Sequence, residues 1–172
     1  MKKLLIICAL IVSFGAVGQK QFQNETAGSL SFTSGRVMQL ADAIPAEKYA
    51  WKPGEGVRST GEVIAHIVSA NYFFAMKLGA TLPESVNLQT VEQDLKTKEE
   101  LTAGLKESYI LIIDAIKNTP DAALANKVEF PFPGEYTTMT AALIGLSHTN
   151  EHLGQLIAYA RSNDITPPWS EQ

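Results

Sequence analysis

The sequence predicts an all-α protein, a four-helix bundle, and three observations predict it. Four long segments carry apolar residues at helical steps of three and four. All eight prolines fall outside those segments, six between them and two beyond the last. Two capping boxes, Ser59-Thr60-Gly61-Glu62 and Thr97-Lys98-Glu99-Glu100, each open one of the segments.

The chain begins with a pattern that precedes the bundle. Lys2 and Lys3 form a positive region, Leu4 to Phe14 is an apolar run, and Ala16-Val17-Gly18 supplies small residues at the end. This is the three-part layout of a secretory signal peptide, and the run is shorter than the ~20 residues that span a bilayer. Residues 1–18 are expected to be a signal peptide, with 19–172 forming one bundle domain. The expected location is outside the cytoplasm, periplasmic or extracellular, with no stable membrane anchor after cleavage. Cys8, the single cysteine of the 172 residues, lies inside the apolar run. The mature chain therefore has no thiol for a disulfide, a metal or a nucleophile.

The first helix is expected from about Phe22 to Ala43, with Leu30, Val37, Met38, Leu40 and Ala41 as its apolar stripe and Pro45 ending it. A loop with Trp51, Pro53, Gly54 and Gly56 follows. Ser59 caps the second helix, about 60–79, whose inner side holds Val63, Ile64, Ile67, Ala70, Phe74 and Leu78. Gly79 suits its C-terminal cap. A polar connection with Pro83 contains one short helix near 90–94. The third helix runs from the Thr97 cap to about Asn118, lined by Leu101, Leu105, Tyr109, Ile112, Ile113 and Ile116.

Residues 128–136 read as a short extended or hairpin segment, whose prolines exclude a central strand. The fourth helix starts at Thr138 or Thr140 and reaches about Ser162, and Pro167-Pro168 predicts an extended tail. Long second and third connections leave the topology free to depart from simple up-and-down order. Trp51 and Trp169 are expected to pack over bundle ends.

A formal charge of −4 becomes more acidic once Lys2 and Lys3 are removed. With no basic run, nucleic acid and anionic membrane are excluded as main partners. The chemistry must come from elsewhere, and the three histidines are the candidates. His148 and His152 stand one turn apart on one helix face. Ala141, Gly145, His148, His152, Gln155 and Tyr159 form a single stripe, flanked by Leu143, Leu146, Leu153 and Leu156. His66 lies mid-helix between Ala65 and Ile67, where an imidazole needs a partner. Spacing alone leaves two readings: a three-nitrogen metal site, or ordinary satisfied histidines.

Glu62, one turn before His66, is the candidate catalytic residue, as a general base or as a hydrogen-bond partner of the histidine. The capping box offers it a purely structural role instead. Glu151 is expected to face away from the site. Tyr159 reads as pocket or core, Arg161 as pocket or surface charge, and Asn71 as pocket-lining or a buried hydrogen-bonding group.

Two stretches carry a resemblance. One is Ile44-Pro45 through Trp51-Lys52-Pro53 to Ser59 and Glu62-Val63-Ile64-Ala65-His66. The other is Ser147-His148-Thr149-Asn150-Glu151-His152-Leu153-Gly154-Gln155-Leu156, continuing through Tyr159 and Arg161 to Pro167-Pro168-Trp169-Ser170. Together they resemble the DinB/YfiT-like family of metal-dependent enzymes. The resemblance implies a DinB-like bundle with one divalent ion, nickel or zinc, on His66, His148 and His152, beside an open coordination position. It also implies hydrolysis or group transfer on a small molecule. Characterised relatives include thiol-dependent S-transferases and an isomerase, whereas an exported chain is parted from the cytosolic thiols. The alternative is a non-catalytic envelope protein that holds a metal or a small ligand. A homodimer is compatible with a bundle of this size.

Overall fold

The computed structural model describes residues 20–170. The expected signal peptide lies outside the described residues. Among these, the long helices are α1 (Gln21–Ala43), α2 (Thr60–Lys77), α4 (Lys98–Asn118) and α5 (Thr138–Arg161), with a single-turn α3 (Val91–Asp94) between α2 and α4. The only strands described are β1 (Lys127–Val128) and β2 (Tyr136–Thr137), an antiparallel pair with Val128 opposite Tyr136. No helix described is long and apolar enough to cross a membrane.

Local chemistry sets the helix ends. Ser59 and Thr97 both form complete capping boxes, with Glu62 and Glu100 reaching back to the cap backbone. Thr137 caps α5 by accepting from the Thr140 N–H. Beyond α2, Gly79 has φ +93. Its N–H donates to Met76 and the Ala80 N–H to Ala75, a Schellman closure that a side chain with Cβ would strain. The tail departs from expectation. Pro168–Ser170 is a turn of 3-10 helix rather than extended chain. A proline at the first position of a turn needs no N–H and has the required φ, so Pro168 starts the turn that it could not continue. Trp169 then stacks under the Arg36 guanidinium, 5.2 Å from its ring centre.

The bundle order is not sequential. Both α1 and α2 pack mainly on α4 and α5, so α1 and α2 occupy diagonal corners, as do α4 and α5. Direction follows from named contacts. Gln23 near the start of α1 meets Thr119 beyond the end of α4, and Lys98 at the start of α4 meets Asp42 and Ile44 at the end of α1. These two helices are antiparallel. Asn71 of α2 donates to Ser108 of α4 at 3.1 Å, and Gly61 and Gly104 face Leu101 and Val68 in the same register, so α2 and α4 run parallel. The long connections permit this diagonal order, which two-residue loops would forbid.

The core lies along the axis, with Leu30, Leu40, Ile64, Ile112 and Leu156 at or near zero exposure. Gly145 lets α5 come close to both α4 and α2, since an added Cβ there would lie 3.0 Å from Ile112 of α4 and 3.5 Å from Phe74 of α2. That approach occurs one turn before His148 and brings the histidine faces of α2 and α5 together.

Candidate metal centre

His66 comes from α2, while His148 and His152 come from successive turns of α5. One ligand atom from each lies within 4.8 Å of the others. The Nε2 atom of His148 is 3.1 Å from Nε2 of His66 and 3.1 Å from Nε2 of His152. His152 is buried at 8 % exposure, and the His66 side chain keeps 25 %. Phe74 packs edge-on against the His148 ring at 5.8 Å, giving the site one apolar wall.

The hydrogen-bond partners assign the tautomers. His66 Nδ1 lies 2.9 Å from Glu92 Oε1, and a carboxylate accepts, so this Nδ1 carries the proton. The His152 assignment starts from a backbone carbonyl. The Tyr159 hydroxyl donates to Arg58 O at 3.0 Å, so it accepts from Gln155 Nε2 at 2.9 Å. Gln155 Oε1 must then face His152 and accept from its Nδ1 at 2.8 Å. Both rings, when neutral, therefore turn a bare Nε2 lone pair inward.

His148 meets both lone pairs. With its proton on Nε2 it satisfies only one neighbour. With the proton on Nδ1, three bare nitrogens converge on one point. Nδ1 of His148 is buried and has no hydrogen-bond partner among the described residues. Burial first, then repulsion from His152, His66 and Arg58, pushes the His148 pKa down to about 3. His152 is also lowered, chiefly by burial. Neutral imidazoles are the metal-ligating form. On an ion with nitrogens at about 2.1 Å, neighbouring ligands stand about 3.0 to 3.4 Å apart, so the observed 3.1 Å spacings fit. Glu92 behind His66 makes the carboxylate–histidine pairing common around such ions.

Glu62 does not touch His66 in this arrangement. Its Oε2 accepts from the Ser59 N–H at 2.7 Å, and the side chain is exposed. That contact, more than any other, holds its pKa down. The carboxylate on His66 is Glu92, 26 residues away in sequence. No local spacing links Glu92 to His66, and only the short helix expected near 90–94 pointed to that segment. Glu151 is exposed, as expected. Asn71 is buried on Ser108 rather than lining a pocket, and Arg161 lies on the surface. Tyr159 is a buried link between Gln155 and Arg58, with Trp51 edge-on to it at 5.2 Å.

A cavity of about 450 Å³ opens at Glu92, and none of the three histidines is among its lining residues. Lys52, Arg58, Glu62, Glu92 and Gln93 line it together with Gly56 and Val57. Glu92 belongs both to this wall and to His66, so the cavity adjoins the site.

Comparison with known proteins agrees with this architecture. A sequence profile described as the DinB superfamily matches residues 29–156. The chain is 27% identical over 129 residues to YjoA of Bacillus subtilis (strain 168), a protein called uncharacterized, covering 72% of this chain and 79% of that one. The crystal structure of a DinB-like B. subtilis protein, YjoA, superposes with a TM-score of 0.66 at 20% identity, covering 83% of this chain and 94% of the other. A DinB-like protein from Bacillus cereus ATCC 10987 gives 0.67 at 17% identity, covering 83% and 93%. With the bundle, the histidine cluster and a family match over most of its length, the chain belongs to the DinB superfamily.

Proposed function

We propose that His66, His148 and His152 hold one divalent metal ion, and that the chain uses it in hydrolysis or group transfer on a small molecule. The observation that carries this reading is the convergence of three Nε2 atoms, two of them bared by Glu92 and Gln155. Three nitrogens leave a position of a tetrahedral ion for water or substrate. An ion there lowers the pKa of bound water or polarises a substrate oxygen.

The chain's own residues do the rest. Glu92 and Gln155 hold two ligand tautomers, burial keeps His148 neutral, and the adjoining cavity has room for a small molecule. Nickel or zinc suits an imidazole set. A catalytic role for Glu62 rests on its place in the cavity wall. The pattern of Lys2 to Gly18 supports export of the mature chain.

A second reading, a holder of metal without turnover, is favoured by one fact. Both cavity acids are already engaged, Glu92 with His66 and Glu62 with the Ser59 N–H. Turnover of a small-molecule ester or thioester by the loaded protein would separate the two.

Elemental analysis of the purified protein, with and without chelator and beside His148→Ala, tests the common core of both. The expected result is one equivalent of divalent metal in the wild type and none in the variant. A wild type that takes up neither nickel nor zinc on incubation would end the metal reading.

A further inference from the structure

We propose that the cavity at Glu92 is a subsite for an oxyanion, a carboxylate or phosphoryl group on the small molecule, and that Arg58 selects for it. The inference rests on the metal reading for what lies beside the subsite, and on the cavity's own residues for what the subsite recognises.

Arg58 has a fixed backbone and a free head. Its carbonyl accepts from the Tyr159 hydroxyl, and Tyr159 is tied through Gln155 to His152. On the other side its guanidinium stands 3.7 Å from Glu92 Oε2, whose other oxygen holds His66. The contacts thus run His66–Glu92–Arg58–Tyr159–Gln155–His152, and His148 joins the two ends through its Nε2. Arg58 is the only one of these residues that carries a fixed positive charge.

The pairing with Glu92 does not consume that charge. At 3.7 Å it is beyond hydrogen-bond distance, and the Arg58 side chain is 48% exposed, so the contact is worth little. Among the described residues the guanidinium donates no hydrogen bond to protein, which leaves its planar fork free for a ligand. Lys52, in the same wall, likewise has no acceptor among the described residues.

Each opposing acid has one oxygen engaged. Glu92 accepts from His66, and Glu62 Oε2 accepts from the Ser59 N–H. The wall carries two cations and two anions in formal count, Lys52 and Arg58 against Glu62 and Glu92. The wall is therefore neutral in formal charge, and what distinguishes the cations is that their donors are unengaged among the described residues, whereas each acid already accepts one hydrogen bond. A divalent ion on neutral histidines would add two further positive charges at the inner end. That added charge, with the unengaged donors of Arg58 and Lys52, suits an anionic ligand.

Calorimetric titration of the zinc-loaded full protein with succinate, inorganic phosphate and the neutral diamide of succinate tests this. The wild type is expected to bind succinate or phosphate, with the responding probe telling carboxylate from phosphoryl, and to bind the diamide far more weakly. Arg58→Gln should weaken the anion by about tenfold or more, the loss of a charged hydrogen bond, with metal content unchanged. Lys52→Gln, in open solvent, should weaken it by about twofold. Equal affinity in wild type and Arg58→Gln, binding of the diamide as tight as succinate, or no binding of either anion would overturn the proposal. Loss of zinc in Arg58→Gln would overturn it too, by making Arg58 a brace of the metal site. The same titrations on chelator-treated protein keep the two readings apart. There the wild-type to Arg58→Gln ratio still reports the subsite, even if the wild type never held metal.

Discussion

The two antiparallel seams of this bundle handle polar groups in opposite ways. On α1 and α4, Leu30, Val37, Leu40, Leu105, Ile112 and Ile116 are all buried, and the ends are clamped by complementary pairs. Gln23 Nε2 donates to Thr119 O and Asp121 Oδ1, and Lys98 Nζ donates to the Asp42 and Ile44 carbonyls. There a donor finds an acceptor. Along α2 and α5 the closest polar atoms are three imidazole nitrogens, two of which are acceptors only. A seam built for stability pairs unlike groups. A seam that gathers like groups, and backs them with Glu92 and Gln155, is one that could hold a cation.

That contrast can be broken by substitution. The largest effect is expected in the first seam. Leu30→Ala should lower stability by about 2 to 5 kcal/mol in chemical denaturation, because a buried leucine leaves a cavity, yet leave metal stoichiometry untouched. A loss of metal in Leu30→Ala would mean that the seams are not separable.

The second seam should show the reverse. His148→Leu removes a buried imidazole whose Nδ1 has no partner among the described residues and replaces it with an apolar group of similar size. The metal-free variant should be at least as stable as metal-free wild type. Zinc or nickel at a hundredfold excess over Kd should stabilise the wild type by about 2.7 kcal/mol and the variant not at all. Equal metal-induced shifts in thermal unfolding would show that His148 is no ligand.

A finer test acts through the partner of a ligand. Glu92→Gln should cost about 10- to 100-fold in metal affinity, read by chelator competition, with little change in metal-free stability. The smallest effect is expected where Glu62 and Ser59 cap α2. Ser59→Ala should cost about 1 kcal/mol of stability and leave metal affinity within a factor of two or so, since the cap serves the helix and not the histidines.

Much of this was legible in one dimension because it is local. Capping depends on residues three apart, so Ser59–Glu62 and Thr97–Glu100 could be read directly, and both boxes are present. Apolar stripes depend on the 3.6-residue period, which placed Ile112 and Ile116 inward. His148 and His152 share a face because they are one turn apart. Even the two-residue pairing of β1 with β2 follows from prolines confined to the intervening turn.

What was not legible depends on the packing of distant segments. The spacing of His66 and Glu62 is consistent with a helical partnership, but the Ser59 N–H takes the Glu62 carboxylate and Glu92 takes the histidine. No sequence period connects residues 66 and 92, because the contact exists only once the α2–α4 connection folds back over α2. The diagonal order of the helices has the same origin. Long connections permit several orders, and side-chain fit across the core, such as Gly145 against Ile112 and Phe74, selects among them. By itself, then, the sequence determined which segments are helical, where they begin and end, and which faces carry histidines, since each depends on neighbours within about a turn or two of helix. Only the tertiary structure decided that these faces meet, that Glu92 and Gln155 set their tautomers, and that Arg58 looks into the cavity beside them. Those contacts span tens of residues, and burial in a common core, not local propensity, brings them together.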